Sequence, residues 1–125
     1  MQRDYWYSAS RRREDLEDAS EIGRTAGART VRRLGARKLN TCQVPVLFEA
    51  PVASSLLSHF IGAISGGALY RKASFLLDYL GKSVFPNFVR IHEQPLLPRA
   101  MGSAAFDSEG VATKARDIVA GGVLE

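Results

Sequence analysis

The chain has 125 residues, 46% hydrophobic and 24% charged, with 17 Lys/Arg against 13 Asp/Glu and a net charge of +4. That composition fits an ordinary globular domain or a piece of a larger one. No apolar run reaches the roughly 18–20 residues that span a bilayer, and the first 30 residues hold no apolar segment of the kind a secretory signal needs. A single cysteine, Cys42, can form neither an internal disulfide nor a zinc cluster, so a reducing, cytoplasmic setting is the expectation.

The charge is uneven. Residues 1–38 carry ten Lys/Arg against six Asp/Glu, whereas residues 39–125 carry seven of each. A basic segment can attract phosphate backbones. No aromatic stacking pattern or helix-turn-helix spacing accompanies it, so nucleic-acid contact is the less favoured reading and a solvated helix face the simpler one.

In chain order, Tyr5-Trp6-Tyr7 reads as a short strand, because aromatics suit a half-buried pleated surface. A charged loop follows. Asp18 with Glu21 three residues on resembles a capping box. Ile22, Ala26, Val31 and Leu34 keep helical spacing up to Gly35, which predicts a helix over Ala19–Leu34 with Arg24, Arg29, Arg32 and Arg33 on its wet side.

Val44–Phe48 reads as a short buried strand that tolerates Pro45 at its start or edge. Val52, Ala53, Leu56, Leu57, Phe60, Ile61 and Ile64 then form a broad apolar stripe on one helical face, opened by Pro51 and ended by Gly66-Gly67. A third helical piece is expected over Ser74–Leu80, capped by Gly81, and a strand around Val89–Ile91. Near the end, Gly121-Gly122 between two apolar runs signals a hairpin. Its second arm is three residues long, which would leave much of its partner's edge unpaired. A fragment of a longer chain is the expectation.

The residues give an α+β class with helices packed on short, mostly antiparallel strands. One segment is expected, in three stretches: 1–43 (strand, charged loop, basic helix), 44–81 (strand and apolar-stripe helices) and 82–125 (strands and hairpin).

No complete catalytic constellation emerges. His59 has no second histidine or carboxylate three or four residues away, so a structural or surface histidine is the better reading. His92-Glu93 opens like an HExxH motif, but Leu96 and Leu97 follow and Pro95 would break the helix it needs. Cys42 has neither base nor activating cation in the sequence, and an inert thiol is the reading. Asp107 and Glu109 could hold a cation, but an acidic turn is commoner. Tyr70-Arg71-Lys72 follows a Gly-Gly break, where two cations and a phenol could face a groove and bind carboxylates or carbonyl groups. An ordinary solvent-facing helix start weighs about equally.

The run Gly66-Gly67-Ala68-Leu69-Tyr70-Arg71-Lys72-Ala73-Ser74-Phe75-Leu76-Leu77-Asp78 is recognisable. So are Met1-Gln2-Arg3-Asp4-Tyr5 and Phe106-Asp107-Ser108-Glu109-Gly110-Val111-Ala112-Thr113. Together they resemble the TldD/PmbA family, named as predicted modulators of DNA gyrase and classed as metallopeptidases. The similarity covers essentially the whole chain and implies the central portion of a longer protein.

It also implies a heterodimer of two similar subunits that degrades unfolded or small peptides, including peptide-antibiotic precursors and an antitoxin. One subunit type, TldD, carries HExxxH on a helix, and a later cysteine completes its zinc site. On the aligned helix here, Ser58 stands for the first histidine, His59 for the glutamate and Ala63 for the second histidine. Serine and alanine cannot replace imidazole nitrogens on zinc, and histidine supplies no carboxylate to activate water. This matches the PmbA (TldE) side of the family. The resemblance thus implies no catalytic or metal residue in this chain, zinc in a TldD-like partner, a peptide substrate and no membrane. Two alternatives stand beside it: a non-enzymatic regulator of gyrase or DNA, and a truncated reading frame without function.

Overall fold

The computed structural model describes all 125 residues. Its elements are α1 (Ala19–Arg32), α2 (Ala50–Ile64), α3 (Gly66–Tyr70), β1 (Ile91–Glu93), β2 (Arg116–Ala120) and β3 (Val123–Leu124), with one 3-10 turn at Arg13–Asp15. The strands form a single antiparallel sheet in the order β1-β2-β3, so the class is α+β. The chain divides into two compact units. The first comprises Met1–Cys42 and Gln94–Lys114, the second Gln43–Glu93 and Ala115–Glu125.

The first unit is built around α1. Asp18 caps it, its carboxylate accepting from the Ser20 N–H at 2.9 Å, and the Ser20 hydroxyl donates to the same oxygen. These bonds satisfy donors that the first turn leaves orphaned, and they hold the Asp18 carboxyl below its ordinary range. Glu21 does not reach back to close the expected box; it pairs with Arg24 one turn on. Gly35, just beyond the helix, takes the left-handed conformation at φ +72°.

Residues 5–7 are not a strand. Trp6 is half-buried between exposed Tyr5 and Tyr7, but no ladder forms there. Aromatic β-propensity has no force without a pairing partner. Trp6 is instead held by its side chain, with Nε1 donating to Glu17 at 3.0 Å and the Arg29 guanidinium lying 5.4 Å from the ring centroid. Asp4 binds both Arg29 (3.4 Å) and Arg33 (3.5 Å). The Tyr5 backbone N–H, then Arg29, keeps its carboxyl depressed. Arg29 is therefore no part of a wet face: its side chain is only 14% exposed. Arg11 ties in the second stretch of the unit through the carbonyls of Met101 and Ser103 at 3.1 and 2.8 Å.

The second unit holds the core. Phe60, Leu76, Val119 and Leu124 are buried, with Ala63, Ile64, Val84, Phe85, Ile91 and Ile118 packed around them. Phe60 meets Phe85 edge-on at 5.1 Å between centroids, the geometry ring quadrupoles prefer. Only the C-terminal half of the α2 stripe reaches this core. Val52, Leu56 and Leu57, on the same stripe nearer the start of α2, stay about half exposed.

Three further expectations are corrected in this unit. Val44–Phe48 forms no strand: Pro45 removes a donor, no neighbouring strand pairs with it, and Val44, Val46, Leu47 and Phe48 are exposed. Gly66-Gly67 does not end the helical run. Ser65 interrupts it in an extended conformation and caps a new helix, α3, by accepting from Ala68 N–H. Ser74–Leu80 is a succession of turns. Ser74 Oγ accepts from Leu76 N–H at 3.0 Å as a cap would, but the backbone bond that follows within the segment is Tyr79 N–H to Leu76 O, a single turn and not a helical ladder. The strand expected around Val89–Ile91 lies slightly later, at Ile91–Glu93.

The Gly121-Gly122 hairpin forms as expected, with φ of +55° and +81° and Ala120 opposite Val123. Gly122 is the most tightly enclosed of the glycines. Its carbonyl accepts from both Val84 and Phe85 N–H, at 2.9 and 3.1 Å, while its own N–H donates to Val89. The outer side of β3 is covered by residues 81–83, through Gly81 N–H to Leu124 O and Leu124 N–H to Lys82 O. No helix is long and apolar enough to cross a membrane.

Candidate functional site

The positions that the resemblance aligns with a metal motif, Ser58, His59 and Ala63, lie on α2. Ser58 donates its hydroxyl to the Ser54 carbonyl one turn back, at 3.1 Å. This common helical back-bond leaves the side chain lying along its own backbone. His59 is exposed. Ala63 turns its methyl to the core beside Phe60. One position thus offers a back-bonded hydroxyl and another a methyl, a donor set that does not fit zinc. Nowhere in the chain do three or more His, Cys, Asp or Glu gather in a group able to hold a metal ion.

Tyr70, Arg71 and Lys72 form the exit of α3. Tyr70 is 90% exposed. The Arg71 N–H closes the last turn on Gly67 O, and Lys72, with its N–H on Leu69 O, turns left-handed at φ 54°. That reversal is a helix-terminating geometry glycine usually supplies. The Arg71 guanidinium folds back over Gly67. Neither cation makes an ion pair within the chain, and residues 50–77 contain no carboxylate. These three side chains are the unit's unpaired polar surface at this end.

Asp107 serves its own turn, with Oδ1 accepting from Glu109 N–H and Val111 N–H, both at 2.9 Å. This is the acidic-turn reading, and Phe106 bridges Ala112 across it. Cys42 is exposed and unpaired.

The sequence did not reveal the densest ionic cluster. Asp117 on β2 receives Arg90 through Nε–Oδ1 at 2.9 Å and Nη2–Oδ2 at 3.0 Å. His92 Nδ1 reaches the same Oδ1 at 2.6 Å. Beside it Arg116 meets Glu93 at 2.7 Å. The register makes these pairs, placing His92 opposite Asp117 and Glu93 opposite Arg116, after an irregularity between Ile91 and His92. Arg90, then His92, holds the Asp117 carboxyl below its usual range, while Asp117 raises the Arg90 guanidinium. A histidine oriented by a clamped carboxylate is half of a nucleophile-activating relay, but His92 makes its side-chain hydrogen bond to Asp117 and to no serine, threonine or cysteine. Its evident role is to lock β1 to β2. The one signal available in sequence was the spacing of the two predicted strands, which does not fix register.

In the first unit, a concavity of about 540 Å³ is lined by Met1, Gln2, Arg3, Asp4, Tyr5 and Arg33. Asp4 and Arg33 engage one another there, and none of Ser58, His59, Ala63, Tyr70, Arg71 and Lys72 lines it.

The architecture is an α+β segment with a small core, an exposed tyrosine–arginine–lysine corner and no ligand set for a metal. Its relatives give this frame a family. The model of the PmbA/TldA metallopeptidase C-terminal domain matches residues 41–125. The metalloprotease PmbA of Escherichia coli O157:H7 is 46% identical over 124 residues, which cover 99% of this chain and 28% of that protein. The Haemophilus influenzae PmbA homolog is 47% identical over 125 residues, with 100% and 28% covered.

A Bacteroides thetaiotaomicron structure, provisionally named a modulator of DNA gyrase, superposes with a TM-score of 0.91 at 36% identity, covering 98% of this chain and 28% of that one. A Thermotoga maritima structure with the same provisional name gives 0.85 at 32% identity, with 96% and 28% covered. The chain belongs to the PmbA/TldD metallopeptidase family. It spans a little over a quarter of the length of these relatives.

Proposed function

We propose that this chain is part of a PmbA-type subunit of a TldD/PmbA metallopeptidase complex, acting in proteolysis of peptides or unfolded proteins without itself holding the metal. Family membership supports the first half of this reading. The side chains on α2 support the second: Ser58 is back-bonded to its own helix and Ala63 is a methyl against the core. Zinc and the water it activates then belong to a TldD-like partner in a heterodimer, in the cytoplasm. Tyr70, Arg71 and Lys72 are the proposed contact with partner or peptide. Their cations have no internal carboxylate to satisfy them, and a peptide C-terminus or an acidic side chain would do so.

The test is to assay zinc content and peptide cleavage for this chain alone, for a TldD-like subunit alone, and for the two mixed. Metal on the TldD-like subunit, with cleavage that rises on mixing, is the expected result. Stoichiometric zinc on this chain alone would overturn the assignment of Ser58, His59 and Ala63 to a lost motif. No gain on mixing would remove the subunit reading.

The provisional name of the structural relatives suggests the other reading, a modulator of gyrase or DNA. The basic helix speaks against it, because Arg29 and Arg33 are committed to Asp4 and Arg24 to Glu21. Salt-sensitive DNA binding by this chain, lost on neutralising Arg32 and Arg33, would revive it.

A further inference from the structure

We draw no further inference here: the strongest candidate, the apolar face of the first two turns of α2 at Val52, Leu56 and Leu57, is left open by its own unit and nothing in the structure shows what covers it.

Discussion

Replacing Gly122 by alanine tests the second unit at its tightest point, with Gly121→Ala as the matched control. Both glycines sit at positive φ, so either alanine meets the left-handed penalty of about 1–2 kcal/mol. The surroundings differ. A Cβ on Gly121 would have its nearest neighbour, Asn87 O, at 3.9 Å, an ordinary contact. A Cβ on Gly122 would lie 2.7 Å from Pro86 O and closer still to Phe85 O, both fixed backbone atoms. The strand or the 85–87 loop would have to move by about an ångström, well beyond what close-packed interiors absorb without cost.

That movement would strain the three backbone bonds through which Gly122 holds Val84, Phe85 and Val89, each contributing about 1 kcal/mol. Gly121→Ala should therefore cost about 1–2 kcal/mol and Gly122→Ala about 3–5 kcal/mol, much of the stability a domain of this size has. Urea denaturation followed by far-UV circular dichroism would measure both. Fluorescence would be the wrong probe, since the single tryptophan, Trp6, lies in the other unit. Hydrogen exchange at Val84 and Phe85 would localise the loss. Equal costs for the two variants, within about 0.5 kcal/mol, would refute the steric argument and leave only the φ penalty.

The Asp117 carboxyl is depressed in the folded chain, so its contribution is fully present above the ordinary carboxylate range near pH 4 and is lost as pH falls through the folded value. The stability gap between the native chain and Asp117→Asn should accordingly narrow on acidification; a gap that stays constant in urea titrations down to about pH 3 would contradict the clamp. Phe60→Ala should cost about 3–4 kcal/mol, and Leu57→Ala, on the same stripe but half exposed, under about 1 kcal/mol; comparable losses would mean the core lies elsewhere on α2. Asp18→Ala should weaken the start of α1 and increase amide exchange in its first turn, with unchanged exchange at Ser20 and Glu21 as the contrary result. Arg71→Glu with Lys72→Glu should leave the circular dichroism spectrum unchanged, because both are exposed and unpaired, while lowering cleavage in the mixed complex. Full cleavage would dismiss that corner as a contact.

The elements that could be read from sequence are those whose cause is local. Asp18 starts α1, Pro51 sits in the first turn of α2, and Gly121-Gly122 turns the hairpin, each by a property of one or two residues. The misread segments depended on something distant or on a neighbouring residue. Tyr5–Tyr7 and Val44–Phe48 have strand-like composition, but a strand needs a partner, and no neighbouring strand pairs with either. Ser74–Leu80 has helical spacing and even a capping bond to the Ser74 hydroxyl, yet the chain closes one turn at Tyr79 and then leaves to pair Gly81 with Leu124, some 40 residues on. At Gly66-Gly67 the glycines suggested a break, whereas Ser65 one residue earlier caps a further turn.

Of the candidate site, the chemistry of Ser58, His59 and Ala63 followed from family resemblance and the identity of the side chains. The exposure of Tyr70–Lys72 needed coordinates. The Arg90–His92–Asp117 cluster joins residues 25 and 27 positions apart. A one-residue slip of β1 against β2 would dissolve it, so no single-strand pattern could have announced it.

The division of the chain also bears on how it is made. The second unit is interrupted by residues 94–114, and two of its four buried side chains, Val119 and Leu124, come from beyond that interruption. During synthesis Phe60 and Leu76 emerge some 40 residues or more before the strands that bury them. Until then α2 has no sheet to lie on. Closure of the core therefore waits on long-range contacts, the slow class of folding event, and the waiting chain exposes an apolar helix to whatever else is present. Ribosome-bound chains stalled after residue 114 should be protease-sensitive throughout α2, and protection should appear only once the hairpin has cleared the exit tunnel.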